Sequence, residues 1–218
     1  MKTFLSIIAA MLVMSSCAKS VEVEKEVDYQ VEPFTVISMD GVGNIIYTQG
    51  DYKLRAEGDS ALIARTEITF KDGCMYIAQK KGHDSKNSVN FYVSSPTLTK
   101  VETEGVGTFE AKQTVNFDND FEFESDGVGS VKISDMICQN FKFHQEGVGA
   151  SDLKIKCNKA SFKSEGVGAC DLEIEADTLY LENEGVGAVK VKGHVKHYKA
   201  AKDGFVSKIS DKKLIVGE

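Results

Sequence analysis

Phe141-Lys142-Phe143-His144-Gln145-Glu146-Gly147-Val148-Gly149-Ala150-Ser151-Asp152-Leu153-Lys154-Ile155 is followed, 19 residues on, by Ala160-Ser161-Phe162-Lys163-Ser164-Glu165-Gly166-Val167-Gly168-Ala169-Cys170-Asp171-Leu172-Glu173-Ile174. The two stretches are copies of one pattern. At its centre stands an acidic residue followed by Gly-Val-Gly, and this tetrad occurs six times, starting at Asp40, Glu104, Asp126, Glu146, Glu165 and Glu184. From Gly105 onward the first glycines, Gly105, Gly127, Gly147, Gly166 and Gly185, are spaced 22, 20, 19 and 19 residues apart. Self-similarity at a period of about twenty is the mark of a solenoid.

Both flanks of each tetrad alternate apolar and polar residues, the period of a strand. Upstream the apolar pairs are Phe121/Phe123, Phe141/Phe143, Ala160/Phe162 and Leu179/Leu181. Downstream they are Val131/Ile133, Leu153/Ile155, Leu172/Ile174 and Val189/Val191. No unit supplies the three-and-four spacing of an amphipathic helix. Two strands per unit bury their apolar faces only by stacking on the next unit, so the pattern predicts an all-β parallel β-helix with about 19–22 residues per coil and regular coils over about 99–206. The handedness of strand-to-parallel-strand crossovers makes the coil right-handed, and the six-residue repeat of left-handed forms is absent.

Gly41 and Gly105 are 64 residues apart, about three units, which reads as degenerate coils forming an irregular N-terminal cap. Within it, Asp59 to Arg65 is expected to form one helical turn capped by Asp59. Glu67–Phe70 and Met75–Ala78 form a hairpin around Asp72-Gly73, which tolerate the positive φ of a tight turn. Lys80 to Ser88 reads as a loop. Asp203-Gly204-Phe205-Val206 resembles a seventh, decayed tetrad, with Leu214 to Val216 as a terminal strand.

The 218 residues include 42% hydrophobic residues, 19 glycines and two prolines, a globular composition. The formal net charge of −7 and only two arginines, Arg55 and Arg65, exclude a basic face for nucleic acid. Lys2, the apolar run Phe4 to Met14 and the small Ser15-Ser16 read as a secretory signal, residues 1–16. Val13-Met14-Ser15-Ser16-Cys17 resembles the bacterial lipobox, which makes Cys17 the lipid-anchored N-terminus of an outward-facing envelope protein, with the outer membrane expected. The other reading is a secreted protein with a free Cys17. Residues 17–30 are a solvated tether or an edge strand, and residues 31–218 form one domain. Cys138 and Cys157, one repeat apart, stack in neighbouring coils; side chains pointing the same way favour free thiols over a disulfide.

The acidic-Gly-x-Gly units, with Gly50-Asp51, Glu57-Gly58-Asp59, Thr66-Glu67 and Asp72-Gly73 ahead of them, resemble the autotransporter-adhesin head GIN domain family from Phe34 onward. That resemblance implies exported or lipid-anchored proteins of Bacteroidetes, a right-handed β-helix, adhesion as the function and no catalytic residues. The family often carries Ser between the two glycines, where this chain has Val.

Strand parity continued through the tetrad turns all the paired glycines inward: Gly41, Gly43, Gly105, Gly107, Gly127, Gly129, Gly147, Gly149, Gly166, Gly168, Gly185 and Gly187. It turns Val106, Val128, Val148, Val167 and Val186 outward as a stripe, beside a column of Glu104, Asp126, Glu146, Glu165 and Glu184. A bend that reverses parity would instead put the valines in the core, and the family's Ser favours exposure. An exposed stripe with an acidic rim is a candidate partner-binding surface. Like charges in register repel; screening by salt and by Lys132, Lys163 and Lys190 relieves them, or Ca²⁺ does, with no other metal or cofactor expected.

Four histidines, His83, His144, His194 and His197, have no repeated nucleophile partner, and the carboxylate column is uniform, unlike the paired acids of a glycosidase. The chain therefore reads as a non-catalytic adhesion module on a membrane, with its surface glycan or protein partner and oligomeric state unspecified. Small-ligand or lipid binding in a groove beside the N-terminal third is the alternative, and a polysaccharide-active enzyme a more remote one. Asp59-Ser60-Ala61 and Asp177-Thr178-Leu179 resemble the Asp-Ser/Thr-aliphatic acceptors of Bacteroidetes O-glycosylation, at Ser60 and Thr178.

Overall fold

The computed structural model describes residues 24–80, 88–203 and 207–217. With 79% of the described residues in strands and 3% in helix, it is a β-solenoid of about six turns. The signal segment, Cys17 and His83 lie outside the described residues, as do Gly204, Phe205 and Val206 of the decayed tetrad.

Seven strands carry the solenoid: β2 (Val36–Gln49), β7 (Lys100–Ala111), β9 (Phe121–Ile137), β10 (Asn140–Ser164), β11 (Val167–Asn183), β12 (Val186–Lys202) and β13 (Ser207–Val216), with the two-residue β8 (Val115–Asn116) beside β9. Each pairs in parallel with the next, and the tetrads align residue for residue: Gly41 beside Gly105, Gly105 beside Gly127, Gly127 beside Gly147. Val148, Val167 and Val186 continue the alignment. All the upstream and downstream apolar pairs read from the sequence are buried. Phe109, Phe123, Phe143 and Phe162 form a ladder along the interior, with successive ring centroids 5.2, 5.6 and 4.8 Å apart. Offset aromatic contacts of this kind add roughly 0.5–1.5 kcal/mol each beyond burial.

The stretch between Gly41 and Gly105 departs from the expectation of about three coils. Asp40 pairs directly with Glu104, so no rung lies between β2 and β7. The intervening residues instead make an excursion that covers the opposite edge of β2. It comprises β3 (Lys53–Asp59), α1 (Ser60–Arg65), β4 (Thr66–Lys71), β5 (Cys74–Gln79) and β6 (Val89–Ser95). Strand β5 pairs in parallel with Val36–Asp40 and β6 with Asn44–Gln49, making one incomplete coil. Beyond β6 lie β3 and then β1 (Glu24–Tyr29), both antiparallel, so residues 24–29 are an edge strand. Covering the first rung removes a row of unpaired backbone groups that would template association.

Local chemistry explains the excursion's turns. The Asp59 carboxylate accepts hydrogen bonds from the amides of Ala61 and Leu62, 2.9 and 2.8 Å away, and starts α1, which buries Leu62 and Ile63. Asp72 and Gly73, at φ 52° and 76°, close the β4–β5 hairpin. At the far end, Ser207 pairs with Gly187, a step of 20 residues where the decayed tetrad implied 19, and β13 runs from Ser207 to Val216 rather than over Leu214–Val216 alone.

Along the edge of β2 away from β7, no described strand pairs with Gly41–Gly43, and one side chain fills the gap. Gln79 accepts a hydrogen bond from the Val42 amide at 2.9 Å and donates to the Val42 carbonyl at 2.8 Å, as a paired strand residue would. Gln79→Ala strands both backbone groups, and a loss of about 1–3 kcal/mol is expected in chemical denaturation. Gln79→Glu keeps the acceptor but not the donor and should fall between; equal stability of all three proteins would show that the amide bridge contributes nothing.

Candidate binding face

From Gly105 onward the paired glycines are required by the backbone of the preceding rung. A Cβ on Gly105 would lie 2.2 Å from the Gly41 carbonyl oxygen, and one on Gly107, Gly129 or Gly168 only 1.7 Å from the corresponding oxygen of the preceding rung. Side chains at these positions would point along the stack into the backbone. Of the glycines expected to face inward, Gly43 and Gly185 are buried, Gly127 and Gly147 half-buried, and Gly105, Gly129 and Gly168 exposed. Gly105 and Gly147, at φ 101° and 87°, also occupy a region that L side chains avoid.

The valines stand outward. Val106, Val128, Val148, Val167 and Val186 are 48–53% exposed and lie in register, a continuous apolar stripe along one corner of the rod. Val42, beside Gln79, is half-buried. Parity thus does not reverse at the bend.

Next to the stripe, Glu104, Asp126 and Glu146 align across three rungs, and all five acids of the column are exposed. Glu165 and Glu184 continue it, their amides bonded to the carbonyls of Gln145 and Ser164. Of the three lysines expected to offset the column, one does so. Lys163 Nζ lies 3.1 Å from Glu165 and 3.7 Å from Glu184. Lys190 instead pairs with Asp171 at 3.2 Å, and Lys132 makes no ion pair among the described residues. The partner not foreseen is His144, whose Nε2 is 2.5 Å from Glu165 and 3.4 Å from Glu146. Its position two residues before Glu146 puts it on the same strand face, which the sequence shows; its swing across to Glu165 depends on its rotamer, which the sequence does not. The hydrogen bonds from His144 and then Lys163 hold the Glu165 carboxyl below the usual carboxylate range. Glu104 and Asp126 have no ion pair among the described residues.

Upstream of the column the outer face is a lattice of opposite charges across rungs. Lys100 joins Glu102 and Glu124 at 2.5 and 2.7 Å, and Lys142 contacts Glu122 and Glu124. Exposed pairs of this kind contribute about 0–1 kcal/mol each, so they cancel repulsion more than they stabilise.

Cys138 and Cys157 are free thiols hydrogen-bonded to each other, and that bond together with burial raises the Cys138 thiol well above its ordinary value. Ser60 opens α1 while its neighbour Asp59 is engaged as the cap. Thr178 is half-buried in β11, and the adjacent Asp177 bonds Lys196 at 2.8 Å. Beside the N-terminal strands is an open groove of about 800 Å³, lined by Tyr29, Tyr52 and Tyr92 with Asp28, Asp51 and Arg55. Among the described residues no helix is long and apolar enough to cross a membrane.

A "putative adhesin" of known structure from Bacteroides fragilis is 26% identical, with a TM-score of 0.71 over 87% of this chain and 97% of that one. A "putative adhesin" from Parabacteroides merdae is 16% identical, covering 85% of this chain and 95% of that one at a TM-score of 0.48. A "putative lipid binding protein" from Parabacteroides distasonis is 15% identical, covering 89% and 97% at a TM-score of 0.49. No curated protein matches. The family model "Putative auto-transporter adhesin, head GIN domain" matches residues 33–170. The family model and the Bacteroides fragilis relative are both described as putative adhesins. The chain belongs to the auto-transporter-adhesin head GIN domain family.

Proposed function

We propose that this protein is a non-catalytic adhesion module of the cell envelope, lipid-anchored through Cys17 at the outer membrane, which docks a surface partner along its valine stripe. The supporting observation is the register of Val106, Val128, Val148, Val167 and Val186, each about half exposed on consecutive rungs. Apolar side chains held outward on a rigid rod are preorganised, so docking on them costs little ordering. The carboxylates alongside form a rim that repels anionic surfaces and steers towards neutral or cationic ones. The alternative of a lipid or small-ligand site draws less support, because the groove beside β1 is open and edged by Asp28, Asp51 and Arg55 rather than closed and apolar.

The triple substitution Val106→Lys, Val148→Lys, Val186→Lys, on alternate rungs so that the new charges are not adjacent, tests the reading in surface-attachment assays. Attachment should fall at least about tenfold, ~1.4 kcal/mol, while stability stays within about 0.5 kcal/mol for each exposed site. Attachment at the parental level by a folded triple variant would refute the docking role. As a separate arm, Cys17→Ser should release the protein from the membrane fraction without altering docking by the purified chain; retention in that fraction would refute the anchor.

A further inference from the structure

On the outer face of β10, one ligand atom from each of His144, Glu146 and Glu165 lies within 4.8 Å of the other two. His144 and Glu146 come from the same strand face of one rung, and Glu165 from the next rung, 19 residues later. The imidazole Nε2 is the atom on which they converge, 2.5 Å from Glu165 Oε2 and 3.4 Å from Glu146 Oε1. A tetrahedral ion with metal–ligand bonds of about 2.0–2.1 Å needs its ligand atoms roughly 3.3 Å apart, so small side-chain rotations complete the geometry.

We propose that His144, Glu146 and Glu165 bind one Zn²⁺-class divalent cation, with water in the fourth position. The donor set selects the ion. An imidazole nitrogen suits zinc and its borderline neighbours, whereas Ca²⁺ requires six to eight oxygens that this corner does not gather. Two carboxylates and a neutral imidazole balance the charge of a divalent ion and remove the repulsion between Glu146 and Glu165 in neighbouring rungs. The competing cation is Lys163, 3.1 Å from the other Glu165 oxygen, Oε1. Because it holds Oε1 and also reaches Glu184 at 3.7 Å, Glu165 keeps Oε2 for the metal. The site occurs at one place along the rod: His144 pairs with Glu124, and Lys163 stands one rung further on, so the imidazole occurs once in its column. The proposal does not depend on the adhesion reading.

The test uses the full chain without an affinity tag, in detergent and freed of metal with a chelator. Calorimetric titration with ZnCl₂ should show one equivalent bound, and Zn²⁺ should raise Tm where Ca²⁺ does not. His144→Ala and Glu165→Gln should each weaken Zn²⁺ binding at least about tenfold, while His194→Ala leaves it unchanged. Substituted Co²⁺ should give the visible absorption of a four-coordinate ion, lost in His144→Ala. Absence of Zn²⁺ binding, binding unaffected by His144→Ala, or equal affinity for Ca²⁺ would each overturn the assignment.

Discussion

Gly129→Ala is expected to destabilise the solenoid by about 3 kcal/mol or more, at or above the upper end of the usual cost of overpacking. The added methyl would lie 1.7 Å from the Gly107 carbonyl oxygen and 2.8 Å from its carbon. Both atoms belong to a backbone fixed in a ladder with β2 on one side and β9 on the other. A crowded side chain can rotate away; a rung can only separate, losing hydrogen bonds and burial together. For a chain of this size the loss corresponds to a fall in Tm of roughly 6–12 °C. Gly50→Ala supplies the comparison, because no atom lies within 4 Å of its would-be Cβ. Equal melting of the two variants would show that the close approach between rungs is not what demands glycine.

Phe143→Ala should cost about 3–5 kcal/mol, the range for truncating a buried phenylalanine. Its ring is 1% exposed and stacked between Phe123 at 5.6 Å and Phe162 at 4.8 Å, so the void opens inside a continuous ladder. The neighbours are held by rungs at fixed spacing and cannot collapse inward. In a solenoid, stability is nearly a sum over rungs and the interfaces between them, and this substitution weakens two interfaces at once. Phe143→Leu retains most of the volume and should cost less than about 1.5 kcal/mol. Chemical denaturation compares the three proteins, and equal losses for Ala and Leu would argue against a ladder that depends on the ring.

The regular rungs were legible because their information is local and repeated: a constant spacing fixes the register, and alternation fixes which residues are buried. The same alternation indicated the outward valines. The helical turn at Asp59 and the hairpin at Asp72-Gly73 were also legible, since each rests on two or three adjacent residues. The excursion after β2 was not. A separation of 64 residues is compatible with three coils or with one insertion, and only the pairing of Asp40 with Glu104 distinguishes them. The close approach that demands glycine was not legible for a related reason: alternation describes inside and outside, whereas the obstruction lies along the rod axis. The Gln79 bridge and the His144 cluster depend on side-chain torsions joining separate rungs, for which no sequence period exists.

The coils differ in length, yet the interior stays mainly apolar, with Ser95, Gln145, Ser151 and Asn183 the polar residues buried among those described. Two of the points that take up a surplus residue lie where Ser134 and Asp135 oppose Lys154, and where Asp211 and Lys212 oppose Val191. In the middle of a flat strand, one inserted residue would exchange inner and outer faces for everything after it. At these kinks the surplus is shed before the next straight segment begins. The architecture can thus tolerate small copying slips at its bends, and its length can drift over evolutionary time without turning the protein inside out.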